Sequence, residues 1–283
     1  MENTIVAIMY DFDRTLSTED MQNYRFIPSL GMDADTFWKT ANAFGAENHM
    51  DGILAYMYTM VRLSKEKGAQ FTRDKLVEMG RGIKFFPGVD TWFDRINEFG
   101  KSLGVSVEHY VISSGLREIV SGCSINDKFS EIFASEFIYD SENHPIWPKL
   151  AVNYTNKTQF IYRINKGVLD ISNDRDLNMS MPDECKRVHF SNMIYMGDGL
   201  SDVPCMKMVK TYGGQSIAVY DPTLKDTSKV RELLLKQRVD YIYPSDYSEG
   251  KDLERTVKNI IKKMAINDEL VKESRVQRLR VNG

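Results

Sequence analysis

The sequence predicts an α/β protein: a parallel sheet covered by helices, with a helical domain and a small β flap inserted into it. From about residue 86 onward, short apolar runs alternate with helical patterns. Alternation of this kind is typical of a parallel sheet packed between helices. The apolar run at residues 4–10 is separated from the next one by a long stretch with helical periodicity only. We therefore expect that stretch to be inserted between the first two strands.

The first predicted strand, TIVAIMY at residues 4–10, is short, apolar and rich in β-branched residues. Two aspartates, Asp11 and Asp13, follow it. Side chains two residues apart on a strand point to the same face, so extended backbone past Tyr10 would place both carboxyl groups side by side. Carboxylates that close resist joint ionisation, so a cation must neutralise them or one must keep a proton. A polar turn after a strand would also contain aspartate, and the pair alone does not distinguish the two.

Residues 17–85 are predicted to form a helical domain of about four helices. The first follows Ser17 and Thr18, which can cap it, and the third ends near Gly68. The methionine and tyrosine side chains of this segment are expected to pack helix against helix. Three of its aromatic residues are also possible pocket residues: Tyr24, Trp38 and Phe44.

The remaining chain is predicted to complete the sheet and to carry the flap. Five apolar runs are predicted strands, at residues 109–114, 131–135, 192–199, 216–220 and 239–244. The flap, at residues 136–154, is expected to have two strands joined by a turn at 142–145. Trp147 in this flap would either shield a site from the side or pack the flap onto the core.

Composition excludes several classes of protein. The chain has 283 residues, 42% hydrophobic and 27% charged, as an ordinary globular protein has. A net charge of -3 without a clustered basic surface argues against nucleic acid, and no apolar run is long enough to span a membrane. Three scattered cysteines without CxxC spacing argue against disulfides and zinc, and for a reducing, cytoplasmic location. The oligomeric state is not readable from these features.

Polar residues collect after several predicted strands. Ligands of an open parallel sheet bind beyond the carboxyl ends of its strands. The residues at those ends are Asp11, Asp13 and Thr15 after the first strand, Ser113 and Ser114 after the second, and Asp198, Ser201 and Asp202 in GDGLSD. Carboxylates packed at one edge repel each other unless a cation lies among them. Oxygen ligands without a neighbouring histidine or cysteine favour magnesium over zinc.

These residues resemble the four motifs of the haloacid dehalogenase-like phosphatase superfamily. The matching stretches are DFDRTL, VISSG, a later lysine and GDGLSD, in the family's order. The resemblance covers about residues 1–16 and 86–245 and implies a Rossmann-like core. The segment 17–85 resembles the helical cap of the phosphoserine phosphatase-like branch. The best candidate for the lysine is Lys157, with Lys149 and Lys166 less well placed.

The resemblance implies a magnesium-dependent phosphomonoesterase that acts on a small phosphorylated metabolite. Its catalytic core would comprise residues 1–16 and 86–283, with the flap inside it. Asp11 would be the nucleophile and form an aspartyl phosphate, and Asp13 would be the general acid. Asp11, Asp198 and the main-chain carbonyl of Asp13 would bind Mg²⁺, with Asp202 supporting the ion directly or through water.

The remaining implied roles concern the phosphate and the substrate. Ser113 and the amide of Ser114 would bind phosphoryl oxygens, Lys157 would neutralise nucleophile and phosphate together, and Thr15 would brace the loop. The glutamate and arginine with which phosphoserine enzymes hold their substrate have no clear counterpart; possible candidates are Glu19, Arg25 and Arg62. The substrate therefore stays open. Two alternatives remain: a phosphotransferase, and a phosphometabolite-binding protein without turnover. The complete set of motifs argues against the second.

Overall fold

The computed structural model describes residues 4–282, and within them the chain forms one seven-stranded sheet. Residues 1–3 and 283, which the prediction assigned to the catalytic core, lie outside the described residues. The strands are β1 (Thr4–Tyr10), β2 (Val105–Leu116), β3 (Glu131–Tyr139), β4 (Pro145–Leu150), β5 (Met193–Gly197), β6 (Gln215–Tyr220) and β7 (Tyr241–Pro244).

The helices fall into a group before β2 and a group after it. The first group is α1 (Met21–Tyr24), α2 (Phe26–Ser29), α3 (Ala34–Glu47), α4 (Gly52–Glu66), α5 (Arg73–Gly80) and α6 (Val89–Ser102). The second is α7 (Arg117–Ser121), α8 (Lys157–Lys166), α9 (Asp174–Asn178), α10 (Val203–Thr211), α11 (Ser228–Leu235) and α12 (Asp252–Asn282). Among the described residues, none of these helices combines the length and the apolar character that crossing a membrane requires.

The sheet has the strand order β4-β3-β2-β1-β5-β6-β7 and is parallel except for the antiparallel pair β3–β4. The predicted α/β class and parallel sheet are therefore confirmed. Strand β1 is central, with Tyr10 opposite Val111 of β2 and Met196 of β5. Because these three strands run in the same direction, the residues that follow each of them meet at one edge of the sheet.

Helices cover both faces of the sheet. Alternate β1 side chains such as Ile8 and Tyr10 pack into a core that includes Trp92 of α6 and Val257 of α12. The intervening side chains, such as Met9, pack against residues of α8 and α10. The alternation follows from the two-residue repeat of a strand, and burial on both faces explains why β1 is apolar throughout.

The helical insertion, residues 17–85, contains five helices where the sequence predicted about four. The first predicted helix is broken at Arg25, whose φ of -137° lies outside the helical region, into α1 and α2. The insertion leaves and re-enters the core through paired backbone, since Thr18 N donates to Lys84 O at 3.0 Å and Phe86 N to Leu16 O at 3.0 Å. These bonds hold the two crossing segments together.

Helix α5 of the insertion packs directly on α7 of the core. A Cβ on Gly122 would lie 1.7 Å from Val77 O, and one on Gly80 would lie 2.1 Å from Ile119 O. Glycine is required at both positions because the two backbones touch. The helical insertion is therefore joined to the core by this contact as well as by its two connecting segments.

Several predicted strand bounds shift. Strand β2 spans residues 105–116 rather than 109–114, and β3 runs on to Tyr139, where its second half pairs with β4 across a turn at 140–144. The expectation for Trp147 was wrong in both forms. Its side chain is 69% exposed, so it does not pack on the core, and it does not belong to the wall of the described cavity at the edge of the sheet.

Candidate active site at the carboxyl edge of the sheet

Asp11 and Asp13 follow the central strand, and a turn begins at Asp13. Asp11 N donates to Met196 O at 2.8 Å, which holds Asp11 beside β5. The chain then turns, and Arg14 adopts a left-handed φ of 58°. Asp13 Oδ1 accepts a hydrogen bond from the N–H of Met21, at 2.8 Å, at the start of α1. The turn therefore begins at Asp13, two residues after the strand, and the carboxyl groups of Asp11 and Asp13 are close enough for their charges to interact.

Three carboxylates from separate motifs meet beyond β1 and β5. Oxygen atoms of Asp11, Asp198 and Asp202 all lie within 4.8 Å of one another. Asp202 precedes α10 and folds back on the end of β5, where a Cβ on Gly197 would lie 2.5 Å from Asp202 Oδ2. Gly197 is therefore needed for Asp202 to reach the cluster.

Lys157 lies inside this acidic cluster. Its Nζ is 3.0 Å from Asp11 Oδ1 and 2.8 Å from Asp202 Oδ1, and its side chain is 1% exposed. The other two lysine candidates lie elsewhere: Lys149 pairs with Glu136 at 2.9 Å, and Lys166 Nζ donates to two main-chain carbonyls. Of the three, Lys157 alone contacts the acids.

Tyr195 of β5 is part of the site and was missed in the sequence. Its hydroxyl donates to Asp202 Oδ1 at 2.8 Å, beside the Lys157 ammonium that donates to the same atom. Asp202 is fully buried. Two donors on one oxygen hold Asp202 in place, and Asp202 in turn directs Lys157 at Asp11. The only signal was a hydroxyl-bearing side chain inside an otherwise apolar strand.

Burial and mutual repulsion shift the pKa values of the site residues. Burial, followed by the Asp202 charge, raises the pKa of Asp11 to about 7, although Lys157 opposes this. Burial and the charges of Asp20 and Asp11 raise the pKa of Asp13 well above its ordinary value, and burial and Asp11 do the same for Asp198. Burial lowers the pKa of Lys157, but its two carboxylate partners outweigh burial and raise it. The site therefore holds more acid than one lysine balances, and it favours a proton on Asp13 or a cation among the carboxylates.

The end of β2 supplies the second group of predicted residues. Ser113 is buried, and its Oγ accepts a hydrogen bond from Gly115 N at 3.0 Å. Ser114 O accepts from the Tyr56 hydroxyl at 2.7 Å and from Ser135 Oγ at 3.1 Å. Tyr56 belongs to α4, so this bond ties the helical insertion to the strand end. Sequence reasoning missed Tyr56, which reads there as one more helix-packing aromatic.

Thr15 stabilises the first loop through its backbone. Its carbonyl accepts a hydrogen bond from the Tyr247 hydroxyl at 2.9 Å, and its N–H donates to Phe12 O at 3.3 Å. The Thr15 hydroxyl is buried and has no hydrogen-bond partner among the described residues. The side chain itself therefore has no bracing contact.

A cavity of about 430 Å³ opens over these residues. Its walls bring together five of the predicted site residues: Asp11, Asp13, Ser114, Lys157 and Asp198. The other three, Thr15, Ser113 and Asp202, are buried behind the wall. A cavity of this size suits a small metabolite.

The helical insertion contributes less of the expected lining. Of the three aromatic candidates, Trp38 lines the cavity. Tyr24 instead hydrogen-bonds to Lys84 O at 3.1 Å, and the Phe44 ring stacks on Tyr58 at 4.7 Å. None of the three substrate-binding candidates, Glu19, Arg25 and Arg62, belongs to the described cavity wall.

Comparisons with known proteins place this geometry in a fold family. No protein-family model matches the chain. An uncharacterized protein of Borreliella burgdorferi strain B31 is 28% identical over 277 aligned residues, which cover 88% of this chain and 94% of that protein. A substrate-bound phosphoserine phosphatase superposes with a TM-score of 0.54 at 17% identity, covering 91% of this chain and 99% of that one. The chain has the haloacid dehalogenase-like fold of the phosphoserine phosphatases.

Further solved structures share this haloacid dehalogenase-like fold. One is a phospho-aspartyl intermediate analogue of phosphoserine phosphatase, with a TM-score of 0.52, 18% identity, and coverage of 91% of this chain and 99% of that one. Another is a haloacid dehalogenase family hydrolase of Salmonella enterica serovar Typhi, with a TM-score of 0.55 and 16% identity, covering 84% of this chain and 66% of that one. At these identities the likeness establishes the fold, and the chemistry has to be argued from the residues of this chain.

The acidic cluster of the haloacid dehalogenase-like fold suits a hard divalent cation. Its donors are the carboxylate oxygens of Asp11, Asp198 and Asp202, with no histidine or cysteine in the group. Magnesium prefers such oxygen ligands, whereas zinc prefers nitrogen and sulfur. The raised pKa values of Asp11 and Asp198 indicate carboxylates that lack enough positive charge around them. The residues present therefore fit Mg²⁺.

Proposed function

We propose that the protein is a magnesium-dependent phosphomonoesterase that hydrolyses a small phosphorylated metabolite through an aspartyl phosphate, the acyl phosphate of Asp11. The observation that carries the proposal is the Lys157 ammonium, 3.0 Å from Asp11 on the wall of a cavity that Asp13 and Asp198 also line. A structural ion pair would account for Lys157 and one acid. It does not account for two further acids whose pKa values are raised and that face the same opening.

The carboxylates of Asp11 and Asp198 and the main-chain carbonyl of Asp13 would hold Mg²⁺, and Asp202 would support it. When bound, the ion supplies positive charge that offsets repulsion between Asp11 and a phosphate dianion. Asp202 already accepts hydrogen bonds from Lys157 and Tyr195. Asp202 would therefore orient Lys157, and this agrees with the supporting position that the family resemblance implies.

The substrate phosphate would bind between Lys157 and the end of β2. The Lys157 ammonium and the amide N–H of Ser114 would donate to phosphoryl oxygens, with the Ser113 hydroxyl beneath them. The hydrogen bond from Gly115 N to Ser113 Oγ supports this role, because it holds Oγ at the end of the strand. Thr15 would hold the first loop through its carbonyl bond to Tyr247.

Two displacements would complete the reaction. An Asp11 carboxylate oxygen attacks phosphorus, the bond from phosphorus to the ester oxygen breaks, and Asp13 donates its proton to the departing alkoxide. Asp13 then accepts a proton from a water that attacks the phosphorus of the Asp11 acyl phosphate. The bond from phosphorus to Asp11 breaks, and the carboxylate is regenerated with inorganic phosphate. The raised pKa of Asp13 suits a group that must carry a proton at the first step.

Residues 17–85 would act as a cap that closes the site and excludes water, on a catalytic core of residues 1–16 and 86–283 that includes the flap at 136–154. The Tyr56 hydroxyl supports this role, because its 2.7 Å bond to Ser114 O places the helical insertion directly against the phosphate-binding end of β2.

Phosphate release from an activated aryl phosphate, with and without Mg²⁺, tests the proposal. We expect phosphate release to require Mg²⁺. The control variant Asp94→Asn should release phosphate at the wild-type rate, since Asp94 is an exposed residue that pairs with Lys128 on the surface. Product alcohol in excess of free phosphate, in the presence of alcohols, would indicate a phosphotransferase instead. If wild type releases no phosphate yet binds beryllium fluoride with Mg²⁺, the protein is a binder without turnover and the proposal is wrong.

A further inference from the structure

The part of the cavity wall away from the acidic cluster bears on which phosphate ester would bind. The helical insertion and the segment before α8 build this part from Gln22, Trp38, Asn42, Asp51, Tyr56 and Asn153. Amide groups, aromatic rings and one carboxylate make up this set. It would face the leaving group of any ester whose phosphorus lies at Asp11.

No cation of this wall is free to bind an anionic leaving group. Among residues 4–282, the cations that line the cavity are Arg14 and Lys157. Arg14 makes a two-pronged contact with Asp20, with Nε and Nη2 at 3.1 and 3.0 Å from its carboxylate oxygens. Lys157 is held between Asp11 and Asp202. A substrate carboxylate would therefore meet carboxylates without a compensating charge.

Gln22 presents a buried acceptor without a donor. Its side chain is 2% exposed and it lines the cavity, yet its Oε1 has no hydrogen-bond partner among the described residues. A buried carbonyl oxygen left in this state has lost its hydrogen bonds to water without gaining one from the protein, which is unfavourable. Because Oε1 is closed to solvent, a ligand meets it after a turn of the terminal amide about its soft χ3 torsion. A ligand that then brings an N–H or O–H donor to Oε1 would satisfy it, and a charged donor makes the stronger bond.

Asp51 and two aromatic rings add a preference for positive charge. Asp51 Oδ1 caps α4 by accepting from the N–H groups of Ile53 and Leu54, at 2.9 and 3.1 Å. Its Oδ2 accepts from Asn153 Nδ2 at 3.0 Å, so its partners are neutral. The rings of Trp38 and Tyr56, which line the same cavity as Asp51, meet edge to face with centroids 5.7 Å apart. A carboxylate with neutral partners and aromatic rings are both groups that attract an ammonium ion.

We propose that the substrate is the phosphomonoester of a small amino alcohol that carries no carboxylate. Its ammonium group donates to Gln22 Oε1 and lies within the field of Asp51. This inference rests on the proposed function, and it separates this chain from enzymes whose substrate carries an α-carboxylate. Phosphoethanolamine is the simplest probe of the class.

Three matched esters test the proposal: phosphoethanolamine, ethyl phosphate, which lacks the ammonium, and phosphoserine, which adds a carboxylate. With Mg²⁺ present, kcat/KM for phosphoethanolamine is expected to exceed that for each of the others by at least about 10-fold, the value of one hydrogen bond to a charged group. Asp11-dependent turnover in which ethyl phosphate or phosphoserine equals or exceeds phosphoethanolamine overturns the substrate class and leaves the phosphatase proposal intact. No turnover of any ester, aryl phosphate included, overturns both.

Two variants locate the discrimination. Gln22→Leu removes the acceptor at similar volume, and it should lower the ratio of kcat/KM for phosphoethanolamine to that for ethyl phosphate by about 10-fold. Asp51→Asn removes the charge while keeping a good helix cap, and it should lower the same ratio by about 3-fold. The matched control is Gln277→Leu on exposed α12, which should not change the ratio. If both site variants fold and keep the wild-type ratio, the assignment of these residues is wrong.

Discussion

Two buried polar clusters contain neighbouring residues at the end of the central strand, Tyr10 and Asp11. They differ in net charge, in hydrogen-bond pairing and in access to a cavity. The core cluster is Tyr10, Trp92, His109 and Asn97. Trp92 Nε1 donates to the Tyr10 hydroxyl at 2.9 Å, which in turn contacts His109 Nδ1 at 3.0 Å, and His109 Nε2 contacts Asn97 Oδ1 at 3.1 Å. Burial lowers the pKa of His109 to about 3, so the cluster is neutral and its polar atoms are paired.

The rim cluster is Asp11, Asp13, Lys157, Asp198 and Asp202. Four carboxylates surround one ammonium, three of the four acids line a cavity, and the pKa values of Asp11, Asp13 and Asp198 are raised. Burial of polar groups alone therefore marks neither function nor its absence. The rim cluster differs because it carries unbalanced charge next to an open cavity. Such an arrangement does not stabilise the fold by itself, and it suits a site whose charge a ligand neutralises.

Asp11→Asn is expected to have the largest effect. Without the nucleophile, turnover of an aryl phosphate should fall by about 10⁴-fold or more. The fold should survive, because the variant removes a buried charge whose pKa is already raised. Phosphate release and a thermal melt measure both. A variant with half the wild-type rate would mean that the rim cluster does not act as a nucleophilic site.

Asp13→Asn should separate substrates by leaving group. Loss of a general acid costs about 10²–10⁴-fold, and it matters most where the departing alkoxide is basic. We expect a loss in that range for an alkyl phosphate and a loss below about 10-fold for a nitrophenyl phosphate. The comparison is the ratio of kcat/KM for the two esters in wild type and variant. Equal losses on both would contradict the proton-donating role.

Lys157→Met tests the charge balance of the rim cluster. Loss of a preorganised cation should lower kcat by about 10²–10³-fold. Without Mg²⁺ the variant should also lose about 3 kcal/mol of stability, because the buried carboxyl groups of Asp11 and Asp202 lose the ammonium group that pairs with both of them. The matched control is Lys149→Met, whose pair with Glu136 is half exposed and should cost less than about 1 kcal/mol. Equal unfolding free energies for the two variants would show that Lys157 does not stabilise the buried carboxyl groups.

The core cluster should make the free energy of unfolding depend on pH and should have no effect on catalysis. His109 has a folded pKa of about 3 against about 6.5 when unfolded. Its contribution to stability is complete above pH 6.5 and is lost as the pH falls. Below that pH the histidine binds a proton in the unfolded chain but stays neutral in the folded protein. Between pH 7 and pH 5, wild type should lose about 2 kcal/mol more than His109→Gln in urea unfolding. Equal losses would mean that His109 is charged in the fold.

Sequence reasoning recovered the rim cluster because its residues sit in short local patterns. Asp11, Asp198 and Asp202 each follow an apolar run within a few residues, and the parallel sheet brings such ends together. Lys157 was selected by its place in the family pattern, and the structure brings it to the acids.

What the sequence did not predict depends on contacts between distant positions. Tyr195 meets Asp202 across a turn, Tyr56 meets Ser114 over 58 positions, and Tyr247 meets Thr15 over 232. In each case the sequence pattern predicts a tyrosine that packs in the core. Its role depends on the hydrogen-bond partner of its hydroxyl, and the periodicity of the sequence does not predict that partner. The same reason explains Gln22, whose importance lies in the absence of a partner among the described residues.

The most direct test of the proposed mechanism looks for the acyl phosphate on Asp11 itself. Enzyme turning over substrate with Mg²⁺ is quenched in acid and treated with borohydride, which reduces an aspartyl phosphate to homoserine and leaves free aspartate unchanged. Mass spectrometry of the peptide that contains residue 11 then gives the answer. The account predicts homoserine at position 11, and only when substrate and Mg²⁺ are both present. Steady turnover with Asp11 unmodified, or homoserine at position 198 instead, would contradict it.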